Sequence, residues 1–205
     1  VTSPPPFLSG WSYRKLHTIA GSTSTLTDYQ VRFKVWNTTG TDAGENVYLG
    51  SNVKPDFSDI RFTTTDNTVL SYWIQETGSN YAIVWVKVPS IPTTGTQLYL
   101  YYGNPSATSS SNGDATFLFF DDFEDNDVSD WLIGSGASFS ASNSLMKSGS
   151  YSGKYTQSSD WATVKHTFTT HTNAIIEADV NQYSAPSGRT YVRIGGSNTD
   201  AGVAT

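Results

Sequence analysis

The clearest pattern along the chain is an alternation of apolar and polar residues with a period of two. Residues 28–36, DYQVRFKVW, are apolar at every second position, and residues 83–88, IVWVKV, have valine at every second position. Residues 98–102, LYLYY, continue the pattern. A period of two places successive side chains on opposite faces of a strand, so these segments are predicted to be half-buried β-strands. Weaker candidates lie at 13–20, 46–49, 60–64 and 69–75.

Turn-forming clusters separate these segments at intervals of 8–15 residues, and no convincing amphipathic helix lies between them. This spacing predicts an all-β protein built as an antiparallel, jelly-roll-like β-sandwich. The Ser-rich tract 104–113 is a candidate boundary. Weaker strand patterns follow it, at 150–156, 162–168, 174–182 and 189–195.

Three regions are therefore predicted. Residues 1–9, with three consecutive prolines, form a stiff linker. Residues 10–117 form the first sandwich. Residues 118–205 form a second β region, and some 85 residues are too few to complete a second sandwich, so we expect it to be truncated or to borrow strands from elsewhere.

Composition excludes several classes of function. The chain has 12 basic and 18 acidic residues, a net charge of -6 and no cysteine. Nucleic acid is excluded as a partner because phosphate binding needs a basic surface. The absence of cysteine excludes thiol catalysis and cysteine-based zinc sites. The sequence has no apolar run of 18 or more residues, so no membrane-spanning segment is predicted. An acidic, Ser- and Thr-rich β protein favours an extracellular or cell-surface location.

Several blocks of the first region resemble the DUF2341 domain family, from about residue 10 to residue 124. They occur in order as WSYRKLHTI, LTDYQVRFKVW, KPDFSDIRF, LSYWIQE, AIVWVKVPSIP and LYLYYGNPSATSSSNGDATFLFFDDFE. That family occurs in large modular surface and secreted proteins of archaea and bacteria and has no established activity. The resemblance therefore implies an exported, multi-domain protein, with lectin-like or glycosidase modules as frequent neighbours.

The second region resembles the start of a concanavalin A-like (laminin-G-like) lectin domain. The resemblance lies in FFDDFEDNDVSDW, an aromatic and acidic strand that precedes a Trp, and in GSYSGKYT and NAIIEADVNQYS, which fit the following strands. It implies a glycan-binding jelly roll.

An acidic cluster follows the boundary tract. Calcium takes six to eight hard oxygen ligands, and a run of carboxylates with backbone carbonyls can supply them. One interpretation is a structural Ca²⁺ site, and the alternative is a solvated turn after an edge strand. The candidate metal ligands are Asp121, Asp122, Glu124, Asp125 and Asp127.

Exposed aromatic rings are the candidates for sugar contact, because the C–H faces of sugars stack on such rings. Trp36 and Trp85 fall on the face opposite the aliphatic residues of their strands. Tyr72 and Trp73 are adjacent and point to opposite faces, so one of them should lie off the core. The alternative is that all four rings are structural, since Trp and Tyr are mostly buried in folded proteins.

No catalytic motif is present: there is no G-x-S-x-G, P-loop or H-E-x-x-H. We therefore predict a non-catalytic carbohydrate-binding module of an exported surface protein or polysaccharide-degrading enzyme, with a polysaccharide or glycan as partner. A structural or adhesive protein that self-associates through β-strand edges is the first alternative. A glycoside hydrolase fragment is the second, with Glu76 and Glu177 as the carboxylates that could be proposed for it.

Overall fold

The computed structural model describes residues 6–158, 162–168, 175–181, 191–196 and 199–204. The chain divides into two compact units, Val1–Asp121 and Asp122–Thr205. The prediction of an all-β protein is confirmed, because strands dominate both units and the one α-helix among the described residues, α1 (Gly113–Thr116), is a single turn.

The first unit has two four-stranded sheets. Its strands are β1 (Tyr13–Ile19), β2 (Leu26–Trp36), β3 (Asn46–Tyr48), β4 (Arg61–Thr64), β5 (Val69–Leu70), β6 (Tyr72–Thr77), β7 (Tyr81–Ile91) and β8 (Thr96–Tyr102), with a short 3-10 helix at Gly50–Asn52. The first sheet has the order β1-β8-β4-β5, and the second has the order β3-β2-β7-β6. The pairs β1–β8 and β2–β7 are nested, as in a jelly roll.

One pair departs from the antiparallel prediction. β3 runs parallel to the end of β2, with Lys34 opposite Asn46 and Trp36 opposite Tyr48. The loop of residues 37–45 carries the chain back along the sheet and makes this parallel pairing possible.

The core lies between the two sheets and explains the alternation of the sequence. β2 and β7 each bury every second side chain, so that Phe33 and Val35 face Val84 and the neighbouring valines. Phe62 of the first sheet meets Phe33 of the second, with ring centroids 5.4 Å apart. Burying such side chains contributes about 1.5–3 kcal/mol each, which makes this core the main source of stability.

The described part of the predicted linker packs on the first sheet. The Phe7 ring meets the Tyr101 ring edge-on at 6.0 Å, and the Arg14 guanidinium lies 4.5 Å from the Phe7 centroid. The Trp11 indole donates a hydrogen bond of 2.7 Å to the Asp59 carbonyl. The segment before β1 is therefore anchored to this sheet from Phe7 onward.

The second unit consists of paired short strands. They are β9 (Leu132–Ile133), β10 (Ala137–Ser142), β11 (Ser152–Gln157), β12 (Val164–Lys165), β13 (Tyr191–Gly196) and β14 (Thr199–Ala204). The antiparallel pairs are β10–β11, β9–β12 and β13–β14. Residues 175–181, predicted to be strand, are described without strand pairing, whereas Ala174 and Gln182 lie outside the described residues.

An aromatic cluster takes the place of an aliphatic core in this unit. The rings of Phe123, Trp131 and Phe139 contact one another, with centroids 5.2–6.2 Å apart. Among the described residues from 122 to 181, no side chain is fully buried. The lectin-like character of this region therefore stays a prediction.

Candidate functional site: an aromatic platform on the second sheet

Three aromatic rings lie side by side on the outer face of the second sheet. Trp36 ends β2, and the strand register places it between Tyr48 of β3 and Tyr81 of β7. The Trp36 and Tyr48 rings are nearly parallel, at 9°, with centroids 5.6 Å apart, and the Tyr81 centroid is 5.4 Å from that of Trp36. All three side chains are partly exposed. We call Trp36, Tyr48 and Tyr81 the aromatic platform.

Two glycines support the outer rings of the platform. A Cβ atom at Gly40 would lie 2.4 Å from the Tyr48 ring, and one at Gly78 would lie 2.5 Å from the Tyr81 ring. These distances are below van der Waals contact, so each tyrosine rests directly on the backbone of a neighbouring loop. The loops that flank β3 and β7 therefore fix the ring positions.

Hydrogen bonds fix the polar ends of two rings. The Trp36 indole donates to Asn46 Oδ1 at 2.9 Å, and the Tyr81 hydroxyl donates to Glu76 Oε1 at 2.5 Å. The bond to the Glu76 carboxylate raises the pKa of the Tyr81 phenol above its ordinary value, because the phenol must stay protonated to donate. The platform is thus ordered before any ligand arrives, which lowers the entropic cost of binding.

Cationic side chains border the platform on β2. The Lys34 ammonium lies 4.5 Å from the Trp36 ring centroid and 4.2 Å from that of Tyr81. Arg32, two residues earlier on the same face, forms an ion pair with Glu45. The outer face of β2 therefore carries two positive charges beside the rings.

The other two predicted tryptophans lie on the same outer face, contact the segment around α1 and are also partly exposed. Trp73 and Trp85 are cross-strand partners on β6 and β7. Phe120 meets the Trp73 ring at 4.7 Å, and Phe117 lies 5.7 Å from Trp73 and 6.1 Å from Trp85. The segment around α1 thus lies on this end of the sheet and takes up part of the ring surface that the sequence assigned to sugar contact.

Tyr72 is a correction to the predicted binding residues. Its side chain is only 1% exposed and belongs to the core between the sheets. Its hydroxyl donates to the Ile60 carbonyl at 3.0 Å and accepts from Arg61 Nη1 at 3.1 Å, while burial raises the pKa of the phenol. Adjacent residues do point to opposite faces, as expected, and Tyr72 is the one that points inward.

The acidic residues form hydrogen-bonded turns. Glu124 Oε1 accepts from the backbone N–H groups of Ser150 at 2.7 Å and Tyr151 at 2.9 Å, and these bonds lower the pKa of the carboxyl. Asp125 Oδ1 accepts from the N–H of Asp127 at 2.9 Å. Within the described residues, no three acidic or histidine side chains converge as a metal site would require. These bonds favour the solvated-turn interpretation, and calcium binding by Asp121, Asp122, Glu124, Asp125 and Asp127 stays a prediction.

The Asp59 carboxylate has a structural role in the first unit. The side chain is 1% exposed and accepts three backbone hydrogen bonds, from Lys54 at 3.0 Å, Gly103 at 2.8 Å and Asn104 at 3.2 Å. It therefore ties the loop before β4 to the turn after β8. The nearby Asp56 closes a local turn by accepting from Ser58.

A cleft of about 640 Å³ separates the open edges of the two sheets. β1 is the edge of the first sheet, while β3 covers β2 only from Lys34 to Trp36 and leaves the rest of that edge without a strand partner. The His17 ring lies in this cleft against Phe33 at 5.1 Å. Lys15 pairs with Asp42 at 2.9 Å at one end of the cleft.

The geometry defines the first unit as an all-β sandwich with a supported aromatic platform on one outer face. Residues 56–134, fewer than half of the 205 residues, match the family described as "Domain of unknown function (DUF2341)". The expected range began near residue 10, so the blocks of β1 and β2 lie outside the match, which also runs ten residues past the expected end.

The remaining comparisons add no relative. No curated protein and no solved structure matches the chain. Among the described residues, no helix is long and apolar enough to cross a membrane.

Three members of the site were missed from the sequence. Tyr48 reaches the platform through the parallel pairing of β3, which no local pattern indicates. Tyr81 and Lys34 share the alternation of Trp85 and Trp36, so their outward positions could have been read from β7 and β2. What the sequence lacked was the pairing register that brings them together.

Proposed function

We propose that this chain is a non-catalytic carbohydrate-binding module of an exported, multi-domain surface protein or polysaccharide-degrading enzyme, and that the aromatic platform is its contact surface. The carrying observation is the row of Tyr48, Trp36 and Tyr81, with centroid spacings of 5.6 and 5.4 Å on one sheet face. The Tyr48 ring is stacked nearly parallel to the Trp36 ring, and the Tyr81 ring is tilted 54° from it. The exposed parts of these three rings can contact the C–H groups of an extended polysaccharide chain.

Support also comes from the rigidity of the rings. The close contacts with Gly40 and Gly78 and the bonds to Asn46 and Glu76 hold the platform rings in place without a ligand. A structural explanation of a surface tryptophan would place it under a neighbouring segment, as with Trp73 and Trp85. All three tryptophans are partly exposed, but the ring neighbours of Trp36 are the other platform rings and not the segment around α1.

The test is retention on immobilised polysaccharides in affinity gels. A panel of glucans, chitin, mannan and acidic polysaccharides covers the main chemistries. We expect at least one to retain the wild-type chain and the Trp36→Ala variant to lose this retention. Tyr29→Ala is the matched control, because Tyr29 is an exposed ring at the other end of β2. Equal retention of wild type and Trp36→Ala, or no retention on any polysaccharide, contradicts the proposal.

A second candidate is self-association of an adhesive or structural protein through strand edges. It rests on the cleft between β1 and the uncovered stretch of β2, where unpaired backbone groups could accept a strand from a second copy. Leu16 of β1 lines this cleft and is 45% exposed.

Sedimentation at high protein concentration tests this candidate. We expect self-association of the wild type to be lost in Leu16→Lys, because a lysine on an edge strand disfavours strand addition. Gln97→Lys adds the same charge on the exposed face of β8, away from the sheet edge, and should leave association unchanged. A wild-type chain that stays monomeric would rule out this candidate.

A further inference from the structure

The aromatic platform carries a positive charge that forms no ion pair with a described residue. Lys34 Nζ lies over the Trp36 and Tyr81 rings, 4.5 and 4.2 Å from their centroids. In the described part of the chain, ion pairs form at Lys15, Arg32 and Lys147 but not at Lys34. The ammonium therefore rests on ring faces with its N–H groups directed at no carboxylate.

The neighbouring carboxylates are already engaged. Glu45 is paired with Arg32, and Glu76 accepts from the Tyr81 hydroxyl. Lys54, Lys87 and other described lysines also form no ion pair, so what distinguishes Lys34 is its position over two rings. The two cations Lys34 and Arg32 balance the two carboxylates Glu45 and Glu76, so the platform is locally neutral within a chain of net charge -6.

The position of Lys34 discriminates between classes of sugar. A neutral sugar ring that stacks on Trp36 and Tyr81 must displace the ammonium and lose cation–π attraction of about 0.5–1 kcal/mol at each ring. A sugar with a carboxylate or sulfate group can keep the ammonium in place and add a charge-assisted hydrogen bond. The arrangement therefore favours an anionic ligand over a neutral one.

We propose that the platform binds an anionic glycan, one that carries uronate carboxylates or sulfate esters, and that Lys34 contacts the anionic group. The inference rests on the proposed carbohydrate-binding function and names the substrate class of the same site. The net negative charge of the chain repels polyanions at long range, so binding of this kind depends on the local geometry.

Affinity gels with three probes test the proposal: polygalacturonate for uronates, dextran sulfate for sulfate esters, and dextran as the neutral reference. We expect the wild-type chain to be retained by one or both polyanions more strongly than by dextran. Lys34→Met keeps an apolar stem but removes the charge, and it should weaken polyanion binding about tenfold, the loss of one charge-assisted contact. Lys34→Arg should retain most of it.

Lys87→Met is the matched control. It removes the same charge from the outer face of β7. Lys87 is paired with Gln30 of β2, which precedes Lys34 by four residues, or about 13 Å along the strand. We expect the affinity of this variant for the polyanions to change by less than about twofold, since Lys87 lies away from the platform. Equal weakening in Lys34→Met and Lys87→Met overturns the proposal, because it indicates general charge attraction.

Two further results separate this proposal from the one on which it rests. If Trp36→Ala abolishes retention while Lys34→Met binds the polyanions like the wild type, the anionic class is wrong and carbohydrate binding stands. If the wild type is retained by neutral polysaccharides alone, the conclusion is the same. If no polysaccharide of either kind is retained, both proposals fail. Thermal melting of each variant establishes that it is folded.

Discussion

At the scale of single residues, two buried polar groups show how the first unit combines loops with sheets. Asp59 and Tyr72 are each 1% exposed, and each satisfies its polar atoms with backbone groups of distant segments. Such groups stabilise the fold only because they are paired, since an unpaired buried donor or acceptor costs about 1–3 kcal/mol.

Removal of the Asp59 carboxylate should therefore be costly. In Asp59→Ala the N–H groups of Lys54, Gly103 and Asn104 lose their acceptor. We expect the free energy of unfolding to fall by about 2–4 kcal/mol, as measured by urea denaturation. Asp114→Ala, at an exposed carboxylate, is the control and should change stability by less than about 0.5 kcal/mol. Equal stabilities of the two variants would show that Asp59 does not hold these loops.

His17 gives the fold a pH dependence near neutrality. Burial beside Phe33 lowers the pKa of its imidazole below the ordinary value of 6.5, and Asp42 offsets part of this effect. The unfolded chain then binds a proton more readily than the folded chain. The stability that neutral His17 contributes is fully present above about pH 6.5. It is lost as the pH falls from there toward the pKa of His17 in the folded chain.

Melting temperatures of wild type and His17→Gln between about pH 5 and pH 8 test this effect. We expect the wild type to lose stability on the acid side of this window and the variant to lose less. Asp56 has a lowered pKa and an ordinary value of 3.8, so its contribution is lost only at lower pH. Parallel curves for the two proteins would contradict the role assigned to His17.

At the scale of elements, the loops that flank the second sheet matter as much as its strands. Gly40 lies against the Tyr48 ring and Gly78 against the Tyr81 ring, and neither position leaves room for a Cβ atom. These contacts couple the conformation of the loops to the positions of the two tyrosine rings of the platform. Glycan binding should accordingly be more sensitive to these loops than overall stability is.

Gly40→Ala tests this coupling. The added methyl group would overlap the Tyr48 ring, so the ring must move away from its position parallel to Trp36. We expect glycan affinity to fall several-fold while the melting temperature changes by only a few degrees. Thr39→Ala, at the exposed preceding residue, should leave both unchanged. Unaltered affinity in Gly40→Ala would show that the ring position does not matter for binding.

The alternation of apolar and polar residues predicted β2 and β7, because each of these strands has one buried face and one outer face. It did not predict that β3 pairs in parallel with β2, because that pairing depends on the return of the 37–45 loop. It also left open the choice between Tyr72 and Trp73. Which of two adjacent rings faces the core depends on the pairing of β6 with β7.

At the scale of the whole molecule, the two units differ in how they bury apolar surface. The first has an aliphatic and aromatic core between two sheets, whereas the described part of the second relies on the ring cluster of Phe123, Trp131 and Phe139. Composition predicted an acidic, ring-rich β protein but not this division of the rings, because ring content does not tell which rings pack inside. The platform uses rings of the first unit only.

In the proposed function, a glycan lies on Trp36. The most direct measurement is the nitrogen-15 spectrum of the indole N–H groups of the 6 tryptophans during titration with the best-retained polysaccharide fragment. We expect the Trp36 resonance, assigned from the Trp36→Ala variant, to shift most, and that of Trp131 to stay unaffected. Saturable shifts at other tryptophans with the Trp36 resonance unmoved would contradict it.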